Sequence, residues 1–213
     1  MSRGQLIRLR LGAEAIKHRL GCGRLSPLHR GVYALGAGPA TKERRWAASV
    51  LASGDGAVLS HLSAAALWEL RSVDPSAIDV SVRSRNRHSR DGLRVHRPRR
   101  LDPPDTTRCR RLPVTTVART LIDLAEVVSR RSLERALDEA EFLGLLHHQQ
   151  PQLEKALERN GGRTGAARLA ACMRRHDPGT TRTKNALTRR GLPGARTWGG
   201  PASTRGQRDP RPV

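Results

Sequence analysis

Aromatic residues are nearly missing from this chain of 213 residues: they make up 2%, and Tyr33 and Phe142 are its single tyrosine and phenylalanine. A core must therefore be assembled from Leu, Val, Ile and Ala, with Trp46 and Trp68 as the large fillers of the well-patterned region. Cysteine is also sparse. Cys22, Cys109 and Cys172 are an odd number, far apart, with no C-x-x-C spacing; this excludes a disulfide framework and a zinc ribbon and suits reduced thiols in the cytoplasm. No apolar run approaches the ~18 residues of a membrane span, and the N-terminus lacks a signal-peptide core, so no membrane partner is expected. Neither G-x-x-x-x-G-K-[ST] nor G-x-G-x-x-G occurs, and no cofactor is expected.

What is abundant is arginine. Lys and Arg total 40 against 19 Asp and Glu, for a net charge of +21. Lys17, Lys42, Lys155 and Lys184 are the only lysines. Such an excess favours a polyanionic partner, because each cation that neutralises a phosphate releases condensed counterions. The same arginine, alanine and glycine richness is also what a high-GC genome imposes on its codons, so charge alone leaves both explanations standing.

Along the chain, Ser2 and Gln5 have the S-x-x-Q form of a capping box, followed by an apolar stripe of Leu6, Leu9 and Leu11. Gly12 reads as the stop of that helix. A second helix, Ala13 to Leu20, has Ile16 and Leu20 as its buried edge, which turns Glu14, Lys17 and His18 outward. Short β-like runs from Leu25 to Leu35 complete an order that resembles a winged helix-turn-helix. Thr41 caps a helix to about Ala52, and Ser60 caps another with Leu67, Trp68 and Leu70 inward. Ala77 to His96 reads as a hairpin, with Ile78, Val80 and Val82 alternating before an arginine-rich loop and Leu93 and Val95 after it. A short strand near Cys109 to Leu112 follows. Helices are then predicted from Thr115 or Thr116 to Ala125, Ser132 to Leu146, Pro151 to Arg159 and Thr164 to Arg175. Beyond Asp177 no periodicity survives, and a disordered tail is expected.

Several ordered blocks carry a family resemblance: GRLSPLHRGVYALG (Gly23–Gly36), AVLSHLSAAALWEL (Ala57–Leu70), LRVHRPRRLDPPD (Leu93–Asp105), LPVTTVARTLIDLAEVV (Leu112–Val128) and LERALDEAEFLGLL (Leu133–Leu146). Together they resemble bacterial type IV toxin–antitoxin antitoxins of the abortive-infection class. They equally resemble high-GC bacterial proteins that join the same N-terminal region to an endonuclease domain of the very-short-patch-repair type. The resemblance implies a winged helix that binds operator DNA, then an α/β region that neutralises a nucleotidyltransferase-like toxin. It also implies one further helix, which would lie upstream of Met1; either the true start lies further upstream or the winged helix is truncated. In the second group a PD-(D/E)-x-K nuclease follows a segment like Pro178–Leu187. Here no Asp or Glu has Lys two positions later, as that Mg²⁺ site requires, so the nuclease reading fails on this chain; the abrupt change of composition from Thr188 resembles a frameshift or an early stop in such a domain.

The expected fold class is α+β: a partial winged helix-turn-helix (1–36), an α/β region with a β-hairpin (37–112), a helical region (113–176) and a disordered tail (177–213). The expected function is that of a DNA-binding, transcriptional-regulator-like antitoxin without catalysis; the alternative is the catalytically dead N-terminal part of a PD-(D/E)-x-K endonuclease. Glu14, Lys17 and His18 would meet base edges in the major groove, with Arg19 toward phosphate. Arg24, His29 and Arg30 would grip the backbone from the wing. Arg83, Arg85, Arg87 and Arg90 form a second candidate phosphate patch, or an exposed loop without a partner. Other clusters read as structural. Asp138, Glu139 and Glu141 look like a solvated, ion-paired helix face beside Arg130, Arg131 and Arg135, and Asp123 like a structural acid near the core. His147–His148 and the Cys172/His176 pair lack a third ligand at a usual spacing, so no metal is expected.

Overall fold

A computed structural model describes residues 1–36, 38, 39, 41–71, 77–83, 89, 92–146 and 150–175. The tail from 177 on, His147, His148, His176, Arg85, Arg87 and Arg90 lie outside the described residues. Among the described residues the fold is mixed α+β with two sheets.

The capping box forms as expected: Gln5 N donates to Ser2 Oγ, and Ser2 N donates to the Gln5 side chain. It starts α1 (Arg3–Arg8), which is shorter than its apolar pattern suggested. Leu9 is the C-cap and 61% exposed rather than part of a buried stripe. Arg10, with φ 62°, takes the left-handed turn that a glycine would normally provide. Gly12 instead opens the next helix, α2 (Ala13–Gly21), as its N-cap. The antiparallel pair β1 (Leu25–His29) and β2 (Val32–Leu35) follows, with Gly31 at φ 76° in the turn. Leu6, Ile16 and Leu25 form the buried centre of this module, with Met1, Leu11, Leu20 and Tyr33 packed around them.

Thr41 caps α3 (Lys42–Ser53) by accepting from Arg44 N. This helix packs on β1 and β2 on one side and on the second sheet on the other, joining the N-terminal module to the rest. The second sheet has the order β5-β4-β3-β7-β6. Its centre is β3 (Val58–Leu59), antiparallel to β4 (Ile78–Ser81) and parallel to β7 (Leu112–Thr115). The expected 77–96 hairpin does not form. β4 runs parallel to β5 (Leu93–His96), with Asp79 opposite Arg94 and Ser81 opposite His96. Period-two alternation identifies a strand and its buried face but not its direction, and the connecting stretch is long enough to return the chain beside a four-residue strand. The strand expected near Cys109–Leu112 is instead the turn between β6 (Thr106–Cys109) and β7, with Arg110 at φ 48° and Arg111 at φ 66°.

Helix α4 (His61–Leu67) lies between two apolar clusters. Ala64, Ala66 and Leu67 join Trp46, Leu59, Val80 and Val114 in one, while Ala65 joins the helical cluster. Its alanines leave room for packing on both sides. A 3₁₀ turn (Pro103–Asp105) leads into β6. Helix α5 (Val117–Val127), capped by Thr116, is buried from Val117 to Ala125 and meets α4 and the three helices that follow it. Those are α6 (Arg130–Phe142), which is capped by Ser129 instead of starting at Ser132, α7 (Gln150–Arg159) and α8 (Thr164–Met173). No helix among the described residues is long and apolar enough to cross a membrane.

Candidate nucleic-acid interface and the buried polar networks

Helix α2 presents the residues that the sequence singled out. Ile16 is 4% exposed and faces the module's core, while Glu14, Lys17 and His18 are all exposed. Positions 14, 17 and 18 are spaced three and one apart, so they share one face of the helix. The module holding them is rich in cations: residues 1–36 contain seven Lys and Arg against the single acid Glu14. Arg3, Arg8, Arg10, Arg24 and Arg30 are exposed.

Two of the proposed contacts are already engaged within the protein. Arg19 is half-buried and donates from Nη1 to Ala15 O at 3.1 Å, one turn back along its own helix. His29 is half-buried, with Nε2 3.1 Å from Ser49 Oγ of α3; this bond ties the hairpin to α3. In the second candidate patch, Arg83 donates from Nε to Leu101 O at 2.8 Å and lies 3.5 Å from Asp102.

Other arginines do something different. Arg119 of α5 has no solvent exposure. Its Nε donates to Asp123 Oδ1 at 2.9 Å, and its Nη1 donates to Asp105 Oδ2 at 2.8 Å, Asn160 Oδ1 at 3.1 Å and Arg100 O at 3.1 Å. Arg159 and Arg163 close the network from the far side, at 2.8 Å from Asp105 and 2.7 Å from Asp123. For Arg163, burial opposes the charge, but hydrogen bonds to Glu126 and Asp123 outweigh it and its pKa rises. Asp123 is therefore structural, as its place in an apolar helix suggested. The i,i+4 pair Arg119/Asp123 was the signal for this network, though its distant partners were not readable from it.

A second buried polar group is built around Ser60 and His61, where the sequence offered only a helix cap. Ser60 stands at the N-cap position of α4 yet makes no side-chain cap; its Oγ lies 3.0 Å from His61 Nδ1. The His61 ring stacks on His96 with centroids 3.6 Å apart, and His96 Nε2 lies 2.8 Å from the buried Asp79. Arg94 approaches the same carboxylate at 3.4 Å, and Ser63 Oγ accepts from Asp79 N. His61 is held at φ 48°. Desolvation, reinforced by the neighbouring His96, pushes its pKa down to about 3, so the ring is neutral. The adjacent strands produce this group, because Asp79 and Ser81 share one face of β4, and Arg94 and His96 stand opposite them in register on β5.

Helix α6 differs modestly from expectation. Asp138, Glu139 and Glu141 are half-buried rather than fully solvated, while Arg130 pairs with Glu134 at 2.8 Å. Cys172 is buried in the helical cluster. Among the described residues no group of three or more His, Cys, Asp or Glu is placed to hold a metal ion. Comparison with protein-family models and with curated proteins finds no match for the chain.

Proposed function

We propose that the chain is a DNA-binding, transcriptional-regulator-like protein that acts by binding rather than catalysis, with residues 1–36 as a partial winged helix-turn-helix. The observation that carries this reading is the outer face of α2, where Glu14, Lys17 and His18 are exposed opposite the buried Ile16. A helix so anchored can present short polar side chains to base edges, Glu to a cytosine amino group and Lys to guanine acceptors. The exposed Arg24 and Arg30 of the hairpin module add phosphate contacts. Arg19 and His29 serve as positioning residues for the helix and hairpin in this reading. The resemblance extends the proposal to a cytoplasmic antitoxin whose region 77–175 binds a nucleotidyltransferase-like toxin.

Fluorescence anisotropy against the duplex upstream of its own reading frame and a scrambled duplex, from about 50 to 200 mM salt, tests the reading. Preference for the upstream duplex should persist at the higher salt, and Lys17→Ala should weaken binding by about tenfold. Equal binding to both duplexes that vanishes with salt would reduce the arginines to generic counterions and sink the proposal.

A further inference from the structure

A cavity of about 550 Å³ opens where α4, the 3₁₀ turn, β6, α5 and α7 converge, away from the residues assigned to DNA. Its volume lies within the range of small-molecule sites, about 300–1,000 Å³. The lining has two chemical characters. Trp68, Val117 and Leu145 supply apolar surface. The Trp68 ring is half-buried and fixed in place, because its Nε1 donates to Thr115 O at 2.9 Å. Gln152, Lys155 and Arg159 line the cavity from successive turns of one face of α7.

Those two cations are unequally engaged. Lys155 is exposed and forms no ion pair among the described residues. Arg159 donates from Nη2 to Asp105 at 2.8 Å, but that carboxylate is already shared with Arg119. The Arg159 Nε–H is shielded from solvent and has no acceptor among the described residues. That donor is also out of a ligand's reach, so the charge facing the cavity is that of Lys155 and of the partly exposed Arg159 side chain. Positive charge is thus left over next to a fixed aromatic ring.

We propose that this cavity binds a small aromatic anion, with its ring against Trp68 and Leu145 and its carboxylate or phosphate on Lys155 and Arg159. Offset or edge-on packing against Trp68 fixes the ring, and charge-assisted hydrogen bonds fix the anion. The anionic group has two possible sources, a mononucleotide or a free aromatic acid. The site does not depend on the DNA-binding reading, since none of its residues lies in the N-terminal module.

Isothermal titration calorimetry of the full chain with adenosine monophosphate and with salicylate tests it, with adenosine and salicylamide as uncharged controls. At least one anion should bind at a single site with Kd on the order of 10 µM to 1 mM. Its uncharged counterpart should bind at least tenfold more weakly. Lys155→Met, an exposed substitution, should lower the affinity about tenfold with an unchanged melting temperature, whereas Lys17→Ala should leave it intact. The tighter-binding anion identifies the source as phosphate or carboxylate. Absence of saturable heat with both anions, equal binding of the uncharged controls, or undiminished binding by Lys155→Met would each overturn the proposal.

Discussion

The N-terminal module and the remainder of the molecule use the same residue type in opposite ways. In the module, a central cluster of three buried side chains holds two short helices and a hairpin, and exposed arginines surround them. In the body, eighteen buried residues pack α4 to α8 into one cluster, and a fully buried arginine stitches it together. Net charge therefore does not measure a polyanion-binding surface. Arg119, Arg159 and Arg163 count toward the +21 yet are occupied by Asp105, Asp123 and Glu126. Arg3, Arg8, Arg24 and Arg30 count equally and are exposed.

The contrast is broken most severely at Arg119. Replacing it by Met leaves Asp105 and Asp123 buried with half of their compensation gone, and should cost about 3–5 kcal/mol. Urea unfolding measures this, and a loss below about 1 kcal/mol would mean that Arg159 and Arg163 suffice alone. Next is Gly165 in α8, where an added Cβ would overlap the Ile122 carbonyl oxygen of α5 and crowd Glu126. Gly165→Ala should destabilise by up to about 3 kcal/mol through overpacking. An unchanged urea midpoint would show that α8 can slide away from α5.

His61 adds a pH dependence to the body. Its folded pKa, about 3, lies below the unfolded value of 6.5, so the unfolded chain takes up the proton first. The associated stability is fully present above pH 6.5 and is lost as pH falls toward 3. Between pH 7 and 5 the loss should be about 2 kcal/mol, on the order of 1.4 kcal/mol per pH unit below 6.5. His61→Asn keeps a neutral polar group that tolerates φ 48° and should flatten this slope; an identical slope in the variant would show that His61 is not its source.

The two regions also differ in how much of them the sequence disclosed. Local chemistry was legible: Ser2 with Gln5, Thr41 and Thr116 each marked a helix start, and Ile16 marked the inner face of α2. These signals lie within a few residues of what they specify. What depended on distant partners was not legible. The direction of β5 beside β4, the stacking of His61 on His96 and the convergence of Asp105, Asn160 and Arg163 on one helix pair residues 14 to 55 positions apart. The α2 candidates were readable as an outward face, but the engagement of Arg19 with its own helix and of His29 with Ser49 required the fold.

The smallest predicted effect sharpens the comparison from the module's side. Ser2→Ala removes the side-chain arm of the capping box, which leaves the Gln5 N–H without its acceptor at the start of α1 and should cost about 1 kcal/mol. In the body a loss of that size would be shared by a large cooperative cluster. In the module it falls on a core of Leu6, Ile16 and Leu25, and it also affects the strand-like contacts from the chain start to Gly31, Val32 and Tyr33. Hydrogen exchange should therefore show faster exchange, about fivefold, at the amides of α1 and β2, with those of α5 unchanged. Equal acceleration in α5 would mean that the module and body unfold as one unit through α3. The exposed face of α2 would then be held by the whole molecule, and the DNA binding we propose should be weakened by mutations deep in the helical cluster as much as by Lys17→Ala.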